Sequence, residues 1–168
     1  MARQPADPAD LTPAAARTLV LRWLGQRELT TSQARQRLRR RQYTEPAIAA
    51  ALDALTAEGL LDDGRAARAR ARHDVTIRRR GPGRALRQVQ ALGVDRDTAR
   101  AAVAEVFAEV DQDALLAEAL DRRLRQQPLP ADRKALARLY GWLVRQGFAP
   151  GAVSALFRRG GRHPADDD

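Results

Sequence analysis

Apolar residues recur along this chain at helical spacing, interrupted by short polar turns. Ala16, Leu19, Val20, Trp23 and Leu24 fall at i, i+3, i+4, i+7 and i+8, which is one stripe of a helix. Thr12-Pro13 precedes that stripe as a cap followed by proline at the first helical position. Thr30 with Gln33 reads as a capping box opening a second helix that ends near Arg41. Thr44 caps a third, which carries Ile48, Leu52 and Leu55 until Gly59 stops it. A long arginine- and alanine-rich helix is then expected over 63–80, broken by Gly81-Pro82-Gly83 and followed by helices near 84–92 and 95–109. The remainder offers Leu115, Leu116, Ala119 and Leu120, then a Pro128-Leu129-Pro130 break. Beyond the break come Leu136, Leu139, Tyr140 and Leu143, and lastly Val153, Leu156 and Phe157.

These segments repeat. Leu38, the turn Gln42-Tyr43-Thr44-Glu45-Pro46, Ile48 and Leu52 align with Val89, Leu92-Gly93-Val94-Asp95-Arg96, Ala99 and Val103. Both align with Leu143, Gln146-Gly147-Phe148-Ala149-Pro150, Val153 and Phe157. The apolar plugs Tyr43, Val94 and Phe148 lie 51 and then 54 residues apart, and the other matched apolar positions keep the same offsets. The expectation is an all-α fold of three tandem three-helix repeats, over 13–60, 61–110 and 111–161, forming an elongated, curved array. A unit of about 50 residues has a small core and should lean on its neighbours. The Pro/Asp-rich ends, 1–12 and 162–168, are expected to be disordered.

Composition agrees with helices and adds charge. Of 168 residues, 44% are apolar but 4% aromatic, so the core must be built mainly from Leu, Val and Ala. The net charge is +9, and Lys134 is the sole lysine among 30 basic residues. The excess is even: 8 basic residues against 4 acidic in 13–60, 11 against 7 in 61–110, and 9 against 5 in 111–161. Such a surface draws polyanions, whether nucleic acid, acidic protein or anionic lipid. No apolar run approaches the roughly 20 residues of a membrane span, and the start has no apolar signal core. With no cysteine there is no disulfide or thiolate metal site, which suits a cytoplasmic protein.

Chemistry-bearing patterns are absent. Lys134 has no glycine-rich loop beside it, and Gly81-Pro82-Gly83 follows a helix and lacks a third glycine. His73 sits on the arginine-rich helix and His163 in the polar tail, while Ser32 and Ser154 have no histidine near in sequence. No His/carboxylate spacing suggests a metal. The reading is a non-enzyme with no catalytic, cofactor or metal site. Arginines remain: Arg37-Leu38-Arg39-Arg40-Arg41, Arg78-Arg79-Arg80, Arg122-Arg123-Leu124-Arg125 and Arg158-Arg159 all end helices. There they complement the macrodipole, but an excess in every unit points to a polyanion-facing surface. The partner-binding candidates are Arg39, Arg40, Arg41, Arg65, Arg68, Arg72, Arg78, Arg79, Arg80, Arg84 and Arg87. Asp62-Asp63 reads as a helix cap.

Gly59-Leu60-Leu61-Asp62-Asp63-Gly64-Arg65-Ala66-Ala67 resembles the most recognisable motif of the RecX family. Gly81-Pro82-Gly83-Arg84-Ala85-Leu86 and Leu92-Gly93-Val94 resemble its next stretch. Leu29-Thr30 with Leu38 through Tyr43 fits its first repeat, and Arg145-Gln146-Gly147-Phe148 its last, so the likeness spans about residues 15–158. The departures are Ala66 and Arg70, where aromatic residues are usual, and Gln42, where glycine is usual. They point to looser packing between the first two repeats unless Trp23 compensates, and to either a left-handed glutamine or a different turn. The resemblance implies a monomeric regulator that binds the groove of the RecA–DNA filament and restrains RecA's ATPase, coprotease and strand-exchange activities in DNA repair and recombination, or promotes filament disassembly. The partner would be the RecA filament, with single- or double-stranded DNA contacted directly or within it. Triplets of short helices also describe helix-turn-helix regulators, so a DNA- or RNA-binding protein is the alternative. Against it, no unit has one helix set apart by base-reading Arg, Asn or Gln.

Overall fold

A computed structural model describes residues 11–125 and 132–159. The expected tails, apart from Leu11 and Thr12, and the Pro128-Leu129-Pro130 break lie outside the described residues. Within them are nine helices and no strand: α1 Pro13–Leu24, α2 Thr31–Arg39, α3 Glu45–Ala57, α4 Asp63–Thr76, α5 Pro82–Gln90, α6 Arg96–Ala108, α7 Gln112–Leu124, α8 Arg133–Arg145 and α9 Pro150–Arg159. The most extensive packing joins α1 and α2 to α3, then α4, α5 and α6 to one another, then α7, α8 and α9 to one another. The helices therefore pack in consecutive threes.

The caps explain where the helices begin. Thr12 accepts from the Ala15 N–H with Pro13 inside the first turn. Thr30 and Gln33 close the capping box reciprocally. Asp62, Asp95, Asp111 and Asp132 each accept backbone N–H bonds at the starts of α4, α6, α7 and α8. α4 is shorter than the sequence predicts, ending at Thr76 rather than near Arg80. Val75, Thr76 and Ile77 are β-branched and hold a helix weakly, and the Thr76 hydroxyl turns back onto the Arg72 carbonyl. The chain then closes on itself: the Arg78 N–H donates to His73 O, Arg79 is left-handed at φ 52, and the Arg80 N–H donates to Asp74 O.

The turn before the third helix of each group has the same backbone. Gln42, Gly93 and Gly147, spaced like the apolar plugs, have φ of 66, 81 and 97. The turn at Gln42 thus uses a left-handed glutamine. Two of these turns dock on the preceding group. The Leu92 carbonyl accepts from the hydroxyl of Thr30, the N-cap of α2, at 2.6 Å. The Gln146 carbonyl accepts from the N–H of Gly81, the N-cap of α5, at 3.0 Å, and the Gly147 carbonyl accepts from Gly83 at 3.0 Å. A Cβ on Gly147 would stand 2.1 Å from the Arg84 nitrogen, so the backbones touch.

Buried apolar residues gather into two clusters. One holds Ala16, Val20, Leu38, Ile48, Leu52, Leu55 and Leu61 with Tyr43 and Trp23 against it. The other is continuous from Ala67 to Phe157 and includes both Val94 and Phe148. The second and third groups of helices share one core, where three small leaning cores were expected. Ala66 is buried, while Arg70 reaches Asp74 and Gln88 within its own group. Trp23 packs with the first cluster.

The Gly147→Ala variant is expected to lose about 3 kcal/mol or more, combining overpacking with left-handed strain. Gly25→Ala, where a Cβ meets nothing closer than 3.6 Å, should be neutral or stabilising by about 0.4–1 kcal/mol. Gln42→Gly should gain roughly 0.5–1 kcal/mol by relieving the left-handed glutamine. Urea denaturation of the three variants checks the ordering, and equal stabilities for Gly147→Ala and Gly25→Ala would contradict it.

Candidate polyanion-binding surface

The arginines sort by what their guanidinium groups already hold. Arg80, 16% exposed, donates to the fully buried carboxylate of Asp74 at 3.0 Å, and Arg70 reaches its other oxygen at 3.3 Å. Arg70 also donates to Gln88 at 2.8 Å. Asp74 thereby ties the end of α4 to the turn entering α5. Nothing in its sequence context marks Asp74, because its partners are set by the closure at Arg79. Arg65 is equally committed: its Nε meets Glu28 at 2.8 Å and its Nη groups donate to the Gly59 and Leu60 carbonyls. Arg68 faces Glu105 at 3.5 Å, and Arg79 faces Glu118 at 2.8 Å while donating to the Val75 carbonyl. Arg39 pairs with the exposed Glu45, whose hydrogen bond raises the Arg39 pKa.

The other candidates hold no carboxylate among the described residues. Arg40, Arg72 and Arg78 are exposed. Arg84 donates to the Gln146 side chain at 3.2 Å, and Arg87 to the Arg145 carbonyl at 3.3 Å. Burial lowers the Arg84 pKa, and its neighbours Arg80 and Arg87 lower it further. Arg41 and Arg37 lie over the Trp23 ring at 5.7 and 5.4 Å. Burial also lowers the Arg37 pKa, followed by the proximity of Arg27 and Arg40. Arg123 lies over Trp142 at 5.6 Å. Sequence reasoning missed both tryptophans as arginine partners, since α1 meets α2, and α7 meets α8, through tertiary packing that no local spacing announces.

The carboxylates at the start of α4 divide their work. Asp62 caps its own helix, and the Arg65 N–H holds its carboxyl below the ordinary range. Asp63 instead accepts from the Thr31 N–H, 2.6 Å away at the start of α2. It caps a helix of the preceding group. His73 is exposed, and the Ser154 hydroxyl bonds to Tyr140. Among the described residues no cluster of His, Cys, Asp or Glu could hold a metal ion, and no helix is long and apolar enough to cross a membrane.

Fold and surface together define a basic, all-helical module whose helices pack in threes. No family model matches the sequence. Individual relatives do. The chain is 35% identical over 142 residues to regulatory protein RecX of Halorhodospira halophila, covering 84% of this chain and 85% of that protein. It is 34% identical over 157 residues to regulatory protein RecX of Thermobifida fusca, covering 91% and 82%. A crystal structure of RecX from Lactobacillus salivarius superposes with a TM-score of 0.73 at 17% identity, over 90% of this chain and 97% of that one. A second crystal structure, of a regulatory protein RecX, gives 0.69 at 24% identity, over 90% and 78%. The chain belongs to the RecX family of regulatory proteins.

Two consequences can be measured. Asp74→Ala leaves Arg80 and Arg70 without their carboxylate and should cost about 3–5 kcal/mol. Arg80→Ala should overlap strongly with it in a double-mutant cycle, whereas Glu58→Ala, at an exposed pair with Arg17, should stay within about 1 kcal/mol. Additive Asp74 and Arg80 effects would refute the coupling. Separately, Asp62→Ala should cost about 1 kcal/mol at neutral pH. The folded Asp62 pKa is depressed, so its stabilisation is complete above the unfolded value of about 3.9 and is lost as pH falls through the lower folded value. The gap between wild type and variant should therefore close on acidification, and a gap unchanged down to pH about 2 would remove the charged-cap account.

Proposed function

We propose that this protein regulates RecA by lying along the RecA–DNA filament, where it lowers ATP hydrolysis, coprotease activity and strand exchange. Membership of the RecX family over more than four-fifths of the chain carries this reading. The charge pattern supports it: a filament groove offers acidic protein and DNA phosphate over a long distance, and this chain carries an equal basic excess in each of 13–60, 61–110 and 111–161. In this reading the chain is a monomer of three repeats, 13–60, 61–110 and 111–161. It acts in the cytoplasm without a cofactor and catalyses nothing.

Of the candidate arginines, we assign the partner-facing role to Arg40, Arg41, Arg72, Arg78, Arg84 and Arg87, whose guanidinium groups hold no carboxylate among the described residues. Arg65 and Arg80 serve the fold first, and Arg39, Arg68 and Arg79 contribute charge already shared with a glutamate.

The purified protein is expected to hydrolyse no ATP alone and to lower the ATPase of RecA on single-stranded DNA. An unchanged RecA rate at saturating protein would overturn the proposal. Arg40→Ala combined with Arg72→Ala should weaken filament binding by about one order of magnitude, roughly 1.4 kcal/mol, and flatten its salt dependence, with an unchanged melting temperature. Binding to naked DNA as tightly as to RecA-coated DNA would favour a nucleic-acid-binding protein instead.

A further inference from the structure

Where α4 ends, α7 and α8 close over it to form a cavity of about 260 Å³. Arg78, Arg79, Arg122 and Arg123 line it together with Ala119, Trp142 and Gln146. Four arginines thus border one concavity. Among them, Arg79 meets the Glu118 carboxylate at 2.8 Å. Such a concentration of like charge is unfavourable in the free protein and is relieved when an anion enters.

The donors are not exhausted. The Arg78 side chain is exposed and has no hydrogen bond or ion pair among the described residues. Arg122 gives one Nη1 bond, to the Ile77 carbonyl at 2.9 Å, which uses one of the five N–H groups of its guanidinium. Arg79 is held from two sides, by Glu118 and by the Val75 carbonyl, on a backbone at φ 52 that rarely carries a side chain. The Gln146 oxygen accepts from Arg84, so its amide nitrogen remains available to donate. The Trp142 indole, with the Arg123 guanidinium 5.6 Å from its centroid, adds a flat stacking surface.

We propose that this cavity binds one nucleotide of single-stranded nucleic acid, with Arg78 and Arg122 on the phosphodiester and the base against Trp142 and Arg123. Guanidinium groups around an aromatic plane are what an unpaired nucleotide requires: charge for the phosphate and a sequence-tolerant stacking face for the base. Duplex DNA keeps its bases stacked inside and cannot offer one to a pocket this small. An acidic peptide would meet the arginines but leave the indole unused. The proposal deepens the filament reading, because the strand within a filament is the nucleic acid this cavity would meet.

The test uses the full chain without RecA. In a Trp23→Phe background, Trp142 is the sole tryptophan, and its emission is followed while a thymidine homopolymer of about 16 nucleotides is added. Saturable quenching of Trp142 is expected. Arg78→Ala in the same background should weaken it about tenfold and reduce the salt slope by about 1, without moving the melting temperature. Trp142 emission that stays constant while anisotropy of a labelled oligonucleotide reports saturation would overturn the proposal. So would equal quenching by a duplex of the same length, or by polyglutamate. RecA ATPase inhibition, measured on the same proteins, separates the two readings. Inhibition without Trp142 quenching removes the cavity assignment alone, and quenching without inhibition supports the cavity while removing the filament reading.

Discussion

Backbone N–H groups at the start of a helix have no partners inside it, and here the next group of helices helps to supply them. α5 begins at Gly81, which has no side chain to cap with. The Gln146 and Gly147 carbonyls accept from Gly81 and Gly83 in its place. At α2 the equivalent junction is made by side chains: the Thr30 hydroxyl donates to Leu92 O, and the Asp63 carboxylate takes the Thr31 N–H. The order of the groups is therefore written into helix capping. Each junction fixes a helix start and the position of the following group with the same hydrogen bonds.

This constraint explains the glycines and the division of the core. Gly147 and Gly81 permit a backbone approach that any side chain would block, so the second and third groups come close enough to share one apolar cluster. At the first junction Gly93 stands against the Ser32 side chain, and polar bonds from Thr30 and Asp63 bridge the gap. The first cluster stays separate, extended across the junction by Leu61 alone among its buried members. Capping through side chains holds the groups at a distance, and capping through bare backbone merges them.

The local features were legible in the sequence because helix starts and apolar stripes are written within a few residues. Thr12-Pro13, the Thr30–Gln33 box and the offsets of Tyr43, Val94 and Phe148 all announced elements that the fold contains. The end of α4 was not legible in this way. Arginine and alanine favour a helix through 80, but the β-branched run Val75-Thr76-Ile77 weakens it, and the reversal at Arg79 is held by an Arg80–Asp74 bond that local spacing does not announce. Asp63 looked like a cap and is one, but for a helix 32 residues earlier in the chain. The arginine clusters were visible as charge, whereas their division into internal clamps and open cations depends on carboxylates brought in by other helices.

That division bears on how a basic protein can be both stable and sticky. Arginines that end helices complement the macrodipole whether or not they hold a carboxylate; of the open ones Arg40 closes α2, whereas Arg84 sits in the first turn of α5 and opposes it. Pairing Arg80 and Arg70 with a buried carboxylate keeps the arginine run 78–80 from being wholly repulsive. It anchors one end of that run so that Arg78 can be presented to solvent. An exposed arginine is thus placed by the anchoring of a nearly buried one two residues on.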